Sequence, residues 1–188
     1  MRIDCEPRRL GGQRDLLISE LLIEIFNALY YIFPAYCANG VPVLFGGGTP
    51  IDLGKDFLDG KPIFGSHKTY RGFIFGVAIG TFVGWAQESL APSAGLPRGD
   101  MMLGFVLSLG AMLGDLLGSF LKRRINLKPG APLPILDQID FVLIALLFGF
   151  LVKPPTLIEA LIIMILTCPI HLLVNIAAYL LRLKETPW

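Results

Sequence analysis

Five long apolar stretches, separated by polar segments, run along the chain of 188 residues. A helix that crosses a bilayer needs roughly 20 mostly apolar residues, and stretches of about this length recur here with few or no charges. The pattern therefore predicts an all-α integral membrane protein, in which residues 1–188 form a single membrane domain with about five transmembrane helices. The predicted spans are residues 16–38, 72–90, 101–121, 136–152 and 156–181.

Two of the predicted spans carry glycine at every fourth position. Residues four apart lie on one face of a helix, and glycine on such a face lets two backbones approach closely. We therefore predict that these spans pack tightly against neighbouring helices, and that Pro34 and Pro169 kink the first and fifth spans. The glycines are Gly72, Gly76, Gly80 and Gly84 in the second span, and Gly110, Gly114 and Gly118 in the third.

The composition excludes several classes of protein. Charged residues make up 16% of the chain and hydrophobic residues 54%, whereas a soluble domain carries roughly 25% charged residues. Disorder requires low hydrophobicity, and a formal net charge of +1 does not fit a basic nucleic-acid-binding protein. The 3 cysteines are scattered and form neither a disulfide framework nor a zinc-binding spacing.

The basic residues are distributed unequally over the segments between the spans. Of the 16 Lys and Arg residues, ten lie in the segments 39–71 and 122–135 and in the tail after residue 181, and six lie on the other side. Because loops rich in Lys and Arg stay in the cytoplasm, we expect a multi-pass protein of the cell membrane with its N-terminus outside. The first loop also carries Phe45, Phe57 and Phe64, so we expect an ordered cytoplasmic loop layer that covers a site.

Charged residues within membrane spans cost free energy, so their positions indicate where function is located. On the third span a carboxylate, a hydroxyl and a lysine follow at i, i+4 and i+7, with an arginine beside the lysine. On the fourth span two carboxylates are three residues apart, so that each set shares one helix face. The residues are Asp115, Ser119, Lys122 and Arg123 on the third span, Asp137 and Asp140 on the fourth, and His67, Lys68 and Arg71 at the end of the first loop.

These side chains indicate a phosphate-binding and metal-binding site. Converging carboxylates repel one another unless a cation lies between them, and Mg²⁺ is commonly held by one or two carboxylates together with phosphate oxygens. Lys and Arg neutralise phosphate, while glycine-rich loops and helix N-termini supply backbone N–H donors. We therefore predict a site for a nucleotide phosphate and Mg²⁺ facing the cytoplasm.

Other interpretations stay open at this level. Asp137 and Asp140 alone fit an interfacial helix cap equally well, and the run from Lys122 to Arg124 fits an interfacial anchor. A small transporter or channel subunit also carries intramembrane carboxylates, but its path distributes them through the full depth of the membrane. A structural membrane protein without catalytic activity is a further interpretation.

Two separated segments resemble a known family of membrane enzymes. The segment GDLLGSFLKRRINLKPGAPLPILDQID, which ends at Asp140, is similar to the S-x-x-K-R and D-R-x-D signature of CTP-using phosphatidate cytidylyltransferases, with Gln138 in place of arginine. The segment ANGVPVLFGGGTPIDLGKDFLDGKPIFGSHKTYRG resembles the archaeal branch, the CDP-archaeol synthases. The likeness covers residues 38–150. Pro129 stands where the wider family has an aspartate, and the family's P-G-H-G-G turn is absent.

The resemblance implies transfer of a cytidylyl group from CTP to an isoprenoid-ether glycerol phosphate (unsaturated archaetidic acid), which gives CDP-archaeol and pyrophosphate with Mg²⁺ as cofactor. CDP-diacylglycerol synthesis on ester lipids is the alternative. The implied partners are CTP, the lipid phosphate and membrane lipids, without nucleic acid. Metal ligands are expected at Asp137 and Asp140, with Asp115 added on position alone. Catalytic roles are implied for Lys68, Lys122, Arg123 and Asp137. Substrate contacts are implied for Asn39, Asp52, Asp56, Asp59, Gly65, His67, Thr69, Arg71 and Ser119. Contact with cytosine or ribose is expected from Asn39, Asp52, Asp56 or Asp59.

Overall fold

The computed structural model describes residues 7–97, 99–128, 131, 133 and 136–184. Within these ranges the chain is helical and forms no strand, only two isolated bridges. Pro129, the departure from the wider signature, lies outside the described residues. The helices are α1 (Pro7–Phe45), α2 (Tyr70–Ala94), α3 (Met101–Arg124), α4 (Leu136–Phe150) and α5 (Leu157–Leu180).

The all-helical membrane fold predicted from the apolar pattern is confirmed. By length and composition, α2, α3, α5 and the part of α1 from Gln13 to Phe45 are able to cross a membrane. Helix α4 has 15 residues, which at about 1.5 Å per residue reach roughly 22 Å, less than the thickness of the hydrocarbon core. The protein is therefore a multi-pass membrane protein in which one short helix accompanies four long ones.

Helix α1 continues beyond the predicted end at residue 38 and ends at Phe45, although it contains Pro34 and Pro42. A proline has no N–H group, so Pro34 leaves the carbonyl oxygen of the residue four positions earlier without its helical partner. That residue is Tyr30, and the Nε2 of Gln87 on α2 donates a hydrogen bond to its carbonyl oxygen over 2.7 Å. A side chain of the neighbouring helix thus replaces the missing bond, and the first loop begins at residue 46.

The glycine stripes lie at the helix contacts, as predicted. A Cβ atom added to Gly80 would overlap the Ser108 side chain and lie 2.7 Å from the carbonyl oxygen of Pro34. At Gly84 it would lie 2.6 Å from the Cα of Gly104 on α3, and at Gly110 it would lie 2.8 Å from a backbone atom of α4. Because real carbon atoms pack about 3.5–4.0 Å apart, these contacts allow no larger residue. The α2 stripe therefore packs on α1 and α3, and the α3 stripe packs on α4.

Helix α3 occupies the centre of the bundle and packs against α1, α2 and α4, while α5 packs on α1 and α4. Large apolar side chains are exposed on the outer faces of the helices, as expected where the surroundings are lipid. The ends of α1, α3 and α5 and the start of α4 meet at one end of the bundle, which we call the site end. The buried core consists of Ala28, Ile32, Ala35, Leu103, Leu107, Ala111, Phe141, Val142, Ala145 and Ile163.

Candidate active site

Two ion pairs join three parts of the chain at the site end. The Nζ of Lys68, from the end of the first loop, lies 2.7 Å from both carboxylate oxygens of Asp115 on α3. The Nζ of Lys122, in the last turn of α3, lies 2.8 Å from Oδ1 of Asp137 in the first turn of α4. All four side chains are partly buried, with between 13% and 26% of their surface exposed, so these pairs are stronger than pairs in open water.

Asp140 lies between these pairs on the face of α4 that packs on α3. Its Oδ1 accepts a hydrogen bond of 2.6 Å from the N–H of Phe141, and its Oδ2 lies directly against the Cα of Gly118. Asp115 and Asp137 repel its charge, whereas Lys68 attracts it. The three carboxylates therefore belong to a single electrostatic cluster.

Arg123 is the most buried cation near these carboxylates, with 4% of its surface exposed. Its Nε and Nη1 atoms are buried without a hydrogen-bond partner within the described part of the chain. Asp137 is close enough to act electrostatically on its guanidinium. Buried donors without partners are costly, so an oxyanion that enters here gains from meeting them. We call the set Lys68, Asp115, Lys122, Arg123, Asp137 and Asp140 the carboxylate–cation cluster.

Arg124 fastens the first loop to the end of α3. Its Nη1 lies 2.6 Å from Oδ1 of Asp59, and its Nη2 donates to the carbonyl oxygens of Lys61 and Pro62. The Nζ of Lys61 donates in return to the Arg124 carbonyl oxygen over 3.0 Å. The guanidinium plane also covers the rings of two phenylalanines, one on the loop and one on α3. Such a combination of a planar fork and stacking is specific to arginine.

Asp52 organises the inside of the same loop. It is buried, and its carboxylate accepts hydrogen bonds from the backbone N–H groups of Gly54, Phe64 and Gly65 at 2.8–3.0 Å. Burial alone raises the pKa of Asp52, but these backbone donors stabilise the charged form and hold its pKa below the ordinary value. Gly65 has φ +98, a conformation that favours glycine, and gives its N–H to this carboxylate.

The predicted substrate-binding residues are therefore divided between several places. Asp52 and Asp59 were expected to contact cytosine or ribose. In the structure the oxygens of Asp52 accept hydrogen bonds from backbone N–H groups of the first loop, and Asp59 accepts one from Arg124. Asp56 is exposed in the loop, and Asn39 lies within α1 rather than in a loop. Ser119 is buried on α3.

Near the start of α2, the predicted residues surround a small cavity of about 280 Å³. His67 and Thr69 line it together with Gly46 and Gly47. The hydroxyl of Thr69 also caps α2 by accepting a hydrogen bond from the N–H of Gly72. Arg71 is exposed, and its guanidinium lies over the ring of Phe75 at 6.0 Å from the ring centre.

A polar group that the sequence reading left out adjoins the cluster. Lys184, just after α5, donates a hydrogen bond of 3.0 Å to Oδ1 of Asn175. The amide nitrogen of Asn175 lies 3.2 Å from Nδ1 of His171. Burial lowers the pKa of Lys184, and the charges of Asp137, Lys68 and Lys122 also act on it. The spacing of four between His171 and Asn175 is the signal that was available in the sequence.

The cluster does not form a complete metal cage. Among the residues that the structure describes, no three His, Cys, Asp or Glu side chains are arranged to hold a metal ion, and Asp115 and Asp137 each hold a lysine instead. Mg²⁺ usually needs only one or two carboxylates, because substrate phosphates and water supply the remaining ligands. Carboxylates such as those of Asp137 and Asp140 are ligands of the type that this ion takes when a phosphate accompanies it.

Known proteins match most of this chain. A family model described as CarS-like CDP-archaeol synthase matches residues 20–188. The CDP-archaeol synthase of Methanocaldococcus jannaschii is 46% identical over 172 residues, which cover 87% of this chain and 97% of the relative. That of Pyrococcus abyssi is 46% identical over 165 residues, with coverage of 87% and 98%. A solved structure described as an intramembrane enzyme for archaeal membrane lipids biosynthesis is 36% identical, with a TM-score of 0.69 and coverage of 81% of this chain and 94% of that chain.

Proposed function

The chain belongs to the CDP-archaeol synthase family, and we propose that the carboxylate–cation cluster is its active site. As a member of this family, the protein is a CTP-using cytidylyltransferase of membrane lipid biosynthesis that forms CDP-archaeol. One arrangement supports this assignment of the site. Two lysine–aspartate pairs join the first loop to α3 and α3 to α4, and the buried N–H donors of Arg123 lie beside them. Synthesis on ester lipids is not favoured, because the relatives are named for the archaeal product.

The chemistry requires placement and charge neutralisation rather than a strong base. The acceptor is a phosphate monoester, whose oxygens are already ionised near neutral pH. One of them attacks the α-phosphorus of CTP, a new P–O bond forms, and the bond from that phosphorus to the bridging oxygen breaks. Pyrophosphate leaves with the electron pair of the broken bond. Stabilisation of the charge spread over the phosphate oxygens is the main contribution of the protein to such a transfer.

Different basic residues of the cluster neutralise the phosphate charge in different ways. Arg123 has two buried donors without partners, so it is placed to bind oxygens of the triphosphate as soon as CTP enters. Lys68 and Lys122 hold the carboxylates in the nucleotide-free protein and turn towards the phosphates when the nucleotide brings its own charge. Asp137 and Asp140, with Asp115, would hold Mg²⁺, which supplies further neutralisation of the phosphate charge when it is bound. The remaining carboxylate oxygens keep the lysines oriented.

We also propose that the site end faces the cytoplasm, where CTP is available. The loops at this end carry most of the Lys and Arg residues, and such loops remain on the cytoplasmic side of a membrane. The N-terminus then lies outside, at the opposite end of α1. A cysteine-labelling reagent that does not cross the membrane tests this arrangement in intact cells: after the native cysteines are replaced, a cysteine at exposed Asp56 is expected to react only after lysis.

The activity assay is pyrophosphate release from CTP by the purified protein, in the presence of Mg²⁺ and a lipid phosphate. We expect release with an isoprenoid-ether glycerol phosphate and much less with its ester-linked acyl counterpart. Absence of release with every lipid phosphate, from protein that is folded in detergent, would falsify the assignment as a cytidylyltransferase. Preference for the ester-linked acceptor would instead indicate that the protein synthesises CDP-diacylglycerol.

A pair of matched variants tests the site. Asp137→Asn removes the charge that pairs with Lys122 and is expected to abolish Mg²⁺-dependent CTP binding, measured by titration calorimetry. Asp15→Asn makes the same chemical change on an exposed carboxylate of α1 and is expected to leave binding at the level of the unaltered protein. Equal CTP affinity in the Asp137→Asn variant and the unaltered protein would show that Asp137 takes no part in CTP binding.

A further inference from the structure

We propose that Asp52 is a positioning residue of the transfer reaction, which fixes the backbone from which Lys68 reaches the carboxylate–cation cluster. The proposal rests on the proposed function, because that function assigns to Lys68 the neutralisation of phosphate charge on CTP. Both residues belong to the first loop, residues 46–69. Asp52 is buried, with 6% of its surface exposed, whereas Lys68 extends from the loop to α3.

The carboxylate of Asp52 binds the stretch of loop that leads to Lys68. Its Oδ2 accepts hydrogen bonds from the backbone N–H groups of Phe64 and Gly65, at 3.0 and 2.8 Å, and its Oδ1 accepts one from Gly54 at 3.0 Å. Bonds from N–H groups to an ionised acceptor are roughly twice as strong as those between neutral groups. Gly65 has φ +98, one of many conformations open to glycine, so the carboxylate selects the conformation of this segment.

Both backbone polar groups of Lys68 are held by residues that Asp52 fixes. The N–H of Lys68 donates to the carbonyl oxygen of Gly65 over 3.2 Å, and the carbonyl oxygen of Lys68 accepts from the N–H of Ile51 over 2.8 Å. Gly65 is bound by Asp52 itself, and Ile51 is the residue before Asp52. Two hydrogen-bonded paths therefore run from Asp52 to the backbone of Lys68.

The position of this backbone decides where the ammonium group of Lys68 lies. Its Nζ is 2.7 Å from both carboxylate oxygens of Asp115 on α3, so the loop contributes one cation to a cluster whose other members lie on α3 and α4. Stabilisation of charge on phosphate oxygens requires donors that are held in place before the reaction. Displacement of such a group by 1 Å costs about a hundredfold in rate, so the internal support of the loop is part of the catalytic arrangement.

Direct contact of Asp52 with a substrate is the alternative, and the geometry disfavours it. The two carboxylate oxygens already accept three backbone N–H groups of the loop, and the residue is almost fully withdrawn from the surface. A substrate ligand needs an oxygen that is accessible from the site. The influence of Asp52 on the reaction therefore passes through Lys68.

A double-mutant cycle between Asp52 and Lys68 tests this route in the purified full-length protein. Asp52→Ala alone is expected to lower kcat/KM for CTP about a hundredfold, with the KM for the lipid phosphate unchanged. In the Lys68→Met background the ammonium group is absent, and the same substitution is expected to change kcat/KM less than about threefold, because residues that act through one another are not additive. A loss of similar size in both backgrounds overturns the proposal. If turnover of Lys68→Met is too slow to measure, the same cycle on the affinity for CTP with Mg²⁺, by titration calorimetry, decides between these outcomes.

Gln87→Leu is the matched control for a loss of stability. It removes a hydrogen-bond donor in the second half of α2, away from the cluster, and it costs folding free energy, as Asp52→Ala also does. Assayed below the melting temperature of each variant, it is expected to keep kcat/KM for CTP within about threefold of the unaltered protein. If it lowers kcat/KM as much as Asp52→Ala does, the loss in both variants reflects destabilisation, and the proposal is wrong.

Asp52→Asn separates positioning from substrate binding. Asparagine keeps one acceptor oxygen for the N–H groups of Phe64 and Gly65 but loses the charge and the bond to Gly54. We therefore expect a loss of about tenfold in kcat/KM for CTP, smaller than that of Asp52→Ala, because neutral hydrogen bonds hold the segment less firmly. A contact between the charged carboxylate and a substrate or metal would make the two variants equally inactive, and that result contradicts the positioning role.

These outcomes differ from those that test the function itself. If the unaltered protein releases no pyrophosphate with any lipid phosphate, the function fails. If the unaltered protein is active and Lys68→Met is equally active, the function stands, but Lys68 takes no part in it and the positioning role of Asp52 fails.

Discussion

Gly118→Ala is the substitution that most directly tests the packing beneath the cluster. An added Cβ at this position would overlap Oδ2 of Asp140, and it would lie 2.7 Å from the Cγ and 3.0 Å from the Cβ of that residue. Carbon atoms in contact pack about 3.5–4.0 Å apart. The Asp140 side chain must therefore move by about 1 Å, either by rotation or by separation of α3 and α4.

The expected effect has two parts that separate experimentally. Overpacking of a close helix contact costs about 1–3 kcal/mol of stability. Displacement of a catalytic group by 1 Å costs about a hundredfold in rate, which corresponds to about 2.7 kcal/mol of transition-state stabilisation. The rate loss is specific to a position next to a functional carboxylate, whereas the stability loss is common to any crowded glycine.

Gly110→Ala is the matched control, because it lies two helical turns earlier on the same stripe of α3. Its added Cβ would lie 2.8 Å from the Cα of Ala145 and from the carbonyl oxygen of Ile144. It therefore crowds the same interface without touching a carboxylate, and both variants gain the same helix propensity. We expect similar losses of thermal stability in detergent, with a loss of kcat/KM of about a hundredfold only for Gly118→Ala. Equal activity of the two variants would refute the role given to Asp140.

Three further predictions concern the supports of the site. Gln87→Leu leaves the carbonyl of Tyr30 without its replacement donor and is expected to lower the free energy of unfolding by about 1–3 kcal/mol. A chemical denaturation curve measures this loss, and an unchanged midpoint would mean that the hydrogen bond contributes nothing to stability. Because the pKa of Asp52 is lowered in the folded protein, its contribution to stability is present above the ordinary aspartate pKa of about 3.9 and is lost as the pH falls through the lower, folded pKa. Asp52→Asn is expected to unfold more easily at pH 7 and to lose less stability on acidification than the unaltered protein, as followed by melting temperature at several pH values. Arg124→Lys keeps the charge but loses the fork and the stacking, so we expect faster proteolysis within the loop 46–69 and a higher KM for CTP; proteolysis at the rate of the unaltered protein would contradict the clamp.

Several features of the fold were predictable because they depend on local pattern. The spans follow from the length of apolar runs, and the contacts of α2 and α3 follow from glycine at every fourth position. The meeting of Lys122 with Asp137 was also within reach, since a short connection joins the end of α3 to the start of α4. The end of α1 was not predictable. Pro34 favours an early end, and the helix persists through it because Gln87, distant in the sequence, bonds to the carbonyl of Tyr30.

The acidic residues of the first loop show where local pattern is insufficient. Asp52 and Asp59 have the same chemistry as Asp137, and nothing in their neighbours along the chain tells a substrate ligand from a structural one. The folded loop turns Asp52 inward onto three backbone N–H groups and brings Asp59 to Arg124. Arg124 itself matches an interfacial anchor in sequence, and it becomes a clamp only through partners more than 60 positions away.

By itself, the sequence determined the membrane location, the helical class and the set of charged residues from which the proposed site is built, because hydropathy and helical spacing are properties of neighbouring residues. Tertiary structure decided which charges pair, which donors of Arg123 stay open, and that Lys184 and His171 adjoin the cluster. Those outcomes depend on distances between residues far apart in the chain. A buried charge also acquires its partner only when the helices have packed and water has been excluded, since the strength of an ion pair depends on its surroundings.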